Sequence, residues 1–464
     1  RIDVFQLDVP TISIADADKG FKVLQGSELT ITPIVDSFLE TSYSWQINGE
    51  DISNELTCTL PTIELGEYQV RFATHNEDGD DEVTFKVEVC SPDQVDFNWT
   101  FLQTKYNMSA GRTIRIKPVD VNNALDAVYT WTVDNEQVQS GENDTYLFTS
   151  EQQGEHTVKV EMKNSYILAT QTLKVNVCPP AGTYQRKISA TSSASMNKVY
   201  EYLPAPGQFI NENHTTTTMA EACTYAEERI NQTAYVSLGG FGGYIIVGFD
   251  HSIVNDGDYN IAITGNAFDG SSEPGIVWVM QDENGDGLPN DTWYELRGSE
   301  YGKAETWQDY AVTYHKPTGI QLPTPWTDNH GQSGSIDYLG AFHRQDYYYP
   351  AWVKEKQYTL RGTRLKERNY DQSGNGTYWV NDSYEWGYAD NFSAIDRLTD
   401  DDNYNAGPSD NHFKISHAVT FDGKDANLKY VDFIKVQVGV NSKSGWLGEI
   451  STEVFGIKDF NMLK

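Results

Sequence analysis

The chain has 464 residues, with 34 Lys and Arg against 67 Asp and Glu, a formal net charge of −33. A field of that sign repels polyphosphate and anionic headgroups, which makes nucleic acids and membrane surfaces poor candidates as partners. Aromatic residues make up 12% of the chain, far more than a disordered acidic polymer carries, so a folded protein of two to four domains is expected.

No stretch approaches the ~18–20 apolar residues of a membrane helix, so no transmembrane segment is expected. The opening Arg1-Ile2-Asp3-Val4-Phe5 has neither an initiator Met nor a signal-peptide core. It reads as a trimmed mature chain whose export signal or lipid anchor has been removed.

Residues 1–178 contain an internal repeat. Tyr43-Ser44-Trp45-Gln46-Ile47, Gly66-Glu67-Tyr68-Gln69-Val70 and Val83–Cys90 return as Tyr129-Thr130-Trp131-Thr132-Val133, Gly154-Glu155-His156-Thr157-Val158 and Gln171–Cys178, displaced by 86 to 88 residues. Period-2 alternation between Gly, Asn and Asp clusters predicts a small antiparallel sandwich in each copy, 1–90 and 91–178, with its Trp between the sheets. The Y-x-W strand followed by G-x-Y-x-V resembles PKD-like and bacterial Ig-like modules, His156 standing where the second copy should have Tyr.

From Pro179-Pro180 the composition turns rich in Gly, Asn and aromatics, and residues 179–464 carry no further copy of the repeat. Thr218–Ile230, rich in Ala and Glu, predicts a single helix. The apolar runs Tyr244–Phe249, Ile261–Ile263, Gly275–Met280 and Phe433–Val438 predict buried strands, and so a jelly-roll-like sandwich with long loops. The fold class expected is all-β, two tandem Ig/PKD-like sandwiches followed by this larger domain. Cys58, Cys90, Cys178 and Cys223 form no C-x-x-C pair. Spacing leaves three disulfide connectivities open, with free buried thiols the simpler expectation.

Asp282-Glu283-Asn284-Gly285-Asp286-Gly287-Leu288-Pro289-Asn290-Asp291 places oxygens at positions 1, 3 and 5 and Gly at 6, the spacing that wraps a chain around Ca²⁺. Asp282, Asn284, Asp286, the Leu288 carbonyl and Asp291 are the expected ligands, in a structural role. Trp293 at position 12 departs from the EF-hand pattern. Tyr347-Tyr348-Tyr349-Pro350-Ala351-Trp352 and the nearby Trp379 and Trp386 supply planes that stack on sugars or flat cofactors, making Tyr348, Tyr349, Trp352, Trp379 and Trp386 the candidate ligand-binding residues. No catalytic motif is present. Among the 67 acids, Glu273, Glu295, Glu449 and Glu453 lie near Gly- and Trp-rich turns and are the candidates for a glycosidase pair.

Ala234–Ile253, Gly265-Asn266-Ala267-Phe268 with Ser271–Gly275, the acidic loop running into Trp293-Tyr294-Glu295-Leu296, and Gly445-Trp446-Leu447-Gly448-Glu449 leading to Glu453-Val454 resemble a group of Bacteroidetes cell-surface proteins. The resemblance implies an exported lipoprotein at the outer membrane, working beside a transporter complex in capture of a glycan or corrinoid. It implies no catalytic residues. A carbohydrate-active enzyme or binding module, and a structural adhesion subunit meeting a protein partner, are the alternatives.

Overall fold

A computed structural model describes the chain except residues 1–6, 16, 38, 63, 92–93, 95–97, 123, 125, 165–166, 215 and 399–407. Its regular structure is nearly all strand. In the first module, alternation turns Trp45, Val70, Phe72, Phe85 and Val87 to one side of a five-stranded sheet, where they form a single core. The sheet runs in the order Phe21–Leu24, Gly79–Cys90, Gly66–Asn76, Ser42–Ile47, Glu50–Ser53, its first pair parallel and the others antiparallel. The short pairs Leu29–Ile31 with Cys58–Leu60 and Thr11–Ser13 with Ile34–Asp36 complete the module.

The second module repeats this order with Lys105–Ser109, Leu168–Cys178, Gly154–Lys163, Val128–Val133 and Glu136–Gly141, again with a parallel first pair. Trp45 and Trp131 are both fully buried at the centres of their modules. The hairpin after each Trp strand turns on Asn48-Gly49 and Asp134-Asn135, all at positive φ, the conformation in which a two-residue turn matches strand twist.

In the large domain three antiparallel sheets share one core. Six strands run in the order Lys198–Leu203, Tyr244–Val254, Tyr430–Val438, Gly275–Met280, Trp293–Leu296, Ala418–Val419. Four run Ser333–Ile336, Thr324–Asp328, Trp307–His315, Gln357–Arg364, and three run Ser409–Phe413, Ile261–Gly265, Gly456–Asp459. The helix spans Met219–Asn231, its amino end held by Thr218 accepting the Glu221 N–H, and it buries Ala222, Cys223, Ala226 and Ile230. All four cysteines are free and buried.

The second module is docked on the large domain. Arg112 makes a buried ion pair with Glu283 (3.3 Å) and donates to the Ala426 carbonyl (3.0 Å) and Gln281 (3.3 Å). Arg115 and Lys117 grip Asp309 at 2.8 Å each, and Asp120 pairs with Arg361. Ser333 of the large domain donates to the Thr32 carbonyl of the first module. The acidic loop 282–291 lies in the larger junction, where Asn107 donates to the Asn290 side chain at 3.2 Å.

Candidate functional site

Three loops of the large domain are stitched together at one place. Glu273 N–H donates to the Asp390 carbonyl (2.9 Å), Gly275 and Ala389 exchange two hydrogen bonds, and the Thr452 hydroxyl donates to the Glu273 carbonyl (2.9 Å). This brings the carboxyls of Glu273, Asp390 and Glu453 together, an oxygen of each lying within 4.8 Å of the others. Asp390 accepts the N–H groups of Asn266, Ala267 and Glu453 (2.8, 2.8 and 2.9 Å), and Glu273 Oε1 accepts the Ser451 N–H (3.3 Å).

Burial pushes all three carboxyls above the ordinary range, and the Glu273 charge pushes Asp390 and Glu453 further. Among the described residues no Lys or Arg offsets them. Glu449, beside Glu273, is pushed up to about 8, also by burial. Glu453 Oε1 and Glu449 Oε2 are sealed from solvent without a hydrogen-bond partner.

The chain that carries Glu449 and Glu453 also forms the surface above. Gly445–Leu447 is one turn of 3₁₀ helix, closed by the Ser444 N–H donating to the Gly448 carbonyl (2.8 Å). It holds Trp446 out at 51% exposure, beside Phe342 at 66%, the ring centroids 6.3 Å apart. Leu447 is exposed next to them. Gln208 links platform to carboxylates, its Nε2 donating to the Leu447 carbonyl and its backbone N–H to Glu449 Oε1, both at 2.7 Å. Lys443, paired with Asp337 (2.8 Å), adds a polar edge.

The five rings expected to bind ligand do not act together. Tyr348, Tyr349 and Trp352 are core residues: Tyr348 donates to the His343 carbonyl, Tyr349 to the Glu355 carbonyl, and Trp352 packs on Tyr202 at 5.7 Å. With no face to solvent they offer no stacking plane, and the expectation is corrected there. Trp379 is a support: a Cβ on Gly445 would fall 2.3 Å from its indole nitrogen, so only glycine lets the platform turn rest on it. Trp386 lies half-buried in a separate recess of about 260 Å³ with Tyr259, Arg297, His412, Lys414 and His417.

Of the glycosidase candidates, Glu273 and Glu453 meet, with Glu449 alongside. Glu295 is elsewhere, buried in the six-stranded sheet and accepting the Thr363 hydroxyl at 2.5 Å. Asp390 and Phe342 carried no signal in the sequence. Trp446 did, since a Trp between two glycines marks the tip of a turn.

The acids of the loop 282–291 are turned largely to their own backbone. Asp282 accepts the N–H groups of Gly285 (2.7 Å) and Gly287 (3.0 Å), Asn284 that of Asp286 (2.9 Å), and Asp286 that of Leu288 (2.8 Å). Asp291 Oδ2 accepts the Glu283 N–H (3.0 Å), while its Oδ1 is buried without a partner. Burial pushes Asp291 up to about 8 and Glu283 up to about 7.

Residues 9–76 and 102–164 match the model of the PKD-like domain. No curated protein sequence matches the chain. Among solved structures, similar ones include the fibronectin(III)-like modules of Clostridium thermocellum CbhA (15% identity, 39% of this chain and 100% of that one, TM-score 0.20). Others are a chimeric titin Z1Z2 (20%, 37% and 98%, TM-score 0.22) and the Ig1-2 module of the Drosophila receptor protein tyrosine phosphatase DLAR (12%, 36% and 97%, TM-score 0.19). The amino-terminal part of the chain therefore carries two PKD-like domains in tandem, set before a large all-β domain.

Proposed function

We propose that the protein is an exported cell-surface binding protein whose large domain captures a glycan, as an accessory to nutrient uptake at the outer membrane. The observation that carries this reading is the exposed Phe342–Trp446 pair. Desolvating two aromatic faces costs little when a sugar ring takes the place of water, and the adjoining Lys443–Asp337 pair is placed to bond hydroxyls. The exposed rings stand beside a charged pair that serves as a polar edge, an arrangement that suits a sugar. The tandem PKD-like domains and the net charge of −33 suit display outside the cell.

The same reading keeps Ca²⁺ for the loop 282–291, in a structural role at the domain junction. Asp291 Oδ1, buried and unpaired beside Asp282 and Asp286, is the feature that fits an ion there.

The test is calorimetry of the full chain against a panel of glycans, with a corrinoid as a separate arm. Trp446→Ala is expected to abolish glycan binding with the melting temperature unchanged, while Trp386→Ala leaves it intact. Binding lost only in Trp386→Ala, or a signal from the corrinoid alone, would remove the platform from the account. Shortened glycan products would replace capture by hydrolysis, with Glu273 and Glu453 as the reacting pair.

A further inference from the structure

We infer that Glu273, Asp390 and Glu453 form a binding site for a divalent, oxygen-preferring cation of the calcium class. The inference stands apart from the glycan reading and from the loop 282–291. Three carboxylate oxygens within 4.8 Å of one another match the spread of ligands around one ion with metal–oxygen distances of about 2.3–2.6 Å. The donor set is oxygen only, which disfavours zinc and copper.

The hydrogen bonds around the cluster are those of anions. Asp390 uses both oxygens to accept three backbone N–H groups, and Glu273 Oε1 accepts a fourth. A neutral carboxyl carries an O–H that must donate, so this wiring disfavours protons on Asp390. Anions gathered away from water require a counter-charge, and among the described residues no Lys or Arg pairs with any of the three.

An independent sign of a missing ligand comes from orphaned oxygens. Glu453 is 4% exposed, its carboxyl lies in contact with that of Glu273, and its Oε1 receives no hydrogen bond; Glu449, also 4% exposed, has an orphaned Oε2 beside the same cluster. Unpaired buried carboxylate oxygens are costly and rare. A cation seated among the three carboxyls satisfies Glu453 directly and lowers the field at Glu449. Glu273 is the least buried of the three.

The test is equilibrium dialysis of the full chain against Ca²⁺, with Mn²⁺ and Mg²⁺ as parallel arms, together with melting in Ca²⁺ and in chelator. Asp282→Asn with Asp286→Asn first disables the acidic loop. This background is expected to retain bound ion and to melt higher in Ca²⁺ than in chelator, and adding Glu273→Gln is expected to weaken retention at least about tenfold and abolish the difference. An ion-free background, or one that holds the ion equally well with Glu273→Gln, overturns the site. Should Glu273→Gln fail to fold, Glu453→Gln takes its place, and metal content of the loop-disabled background still decides on its own: the ion is there or the carboxyls share protons.

Discussion

His156 gives the second module a pH dependence at the place where the first module has Tyr68. The Gln152 carbonyl (2.9 Å from Nε2) and Asp134 (2.6 Å from Nδ1) both favour the imidazolium and raise its pKa above the ordinary 6.5. A group whose folded pKa is raised contributes stability fully present below its unfolded value and lost as pH climbs through the folded one. The second module should therefore weaken as pH rises above about 6.5. His156→Tyr, the residue that the first module has at this place, should flatten that profile. Urea melts at a mildly acidic and a mildly alkaline pH check it, and parallel loss in both proteins would exclude His156 as the cause.

At the scale of elements, the segment Lys105–Ile116 of the second module is held against the large domain by Arg112. Glu283, 1% exposed at its side chain, has Arg112 as its ion-pair partner, and the guanidinium also lies 5.4 Å from the Tyr294 ring centre. Removing one member of such a pair leaves a buried charge and typically costs about 3–5 kcal/mol. Arg112→Met should cost an amount of that order by calorimetry and split module from domain as a separate transition. Adding Glu283→Gln should recover most of the loss; no recovery would show that packing and not charge holds the junction.

This junction also marks where the sequence stopped being readable. The repeat, the Trp at each centre, the helix Met219–Asn231 and the buried strands follow from periods of two and 3.6 and from local caps, which any window of the chain displays. Docking of the modules is set by pairs such as Arg112 and Glu283, 171 positions apart, about which periodicity says nothing. The tyrosine run 347–349 shows the same limit from the other side: aromatic composition is equal in a core and on a platform, and only tertiary packing separates Tyr348 from Trp446. Two of the three clustered acids, Glu273 and Glu453, were picked out by their Gly- and Trp-rich surroundings; Asp390 was reached only through the loop that carries it.

For the molecule as a whole, the acidic excess and the buried acids act in the same direction. Burial pushes Glu295 up to about 7, against an ordinary 4.5, so its contribution is fully present below about 4.5 and is lost as pH rises through about 7. Self-repulsion at −33 grows over the same range as His and remaining acids lose protons. The large domain should thus melt at a higher temperature at pH about 6.5 than at pH about 8, a window above the one in which His214, His412 and His417, held neutral by burial, act in the opposite sense, with Glu295→Gln reducing the difference and raising the melting temperature at the alkaline end. Added salt should raise it mainly through the surface term, since a Debye length of about 10 Å at 0.1 M screens exposed charges and leaves Glu295 untouched. A profile flat in both pH and salt would mean the acids are already neutralised in the folded state.

One short stretch of chain, from Trp446 to Glu453, carries the platform at one end and a cluster carboxylate at the other, with Gln208 bracing its middle at Leu447 and Glu449. This stretch is the physical link through which binding at one end could reach the other. An ion below and a sugar above would strengthen each other by the same factor, because linkage between two bound species is reciprocal. Capture would then follow the divalent-ion content of the surrounding fluid, tightening where the ion is plentiful and releasing where it is scarce.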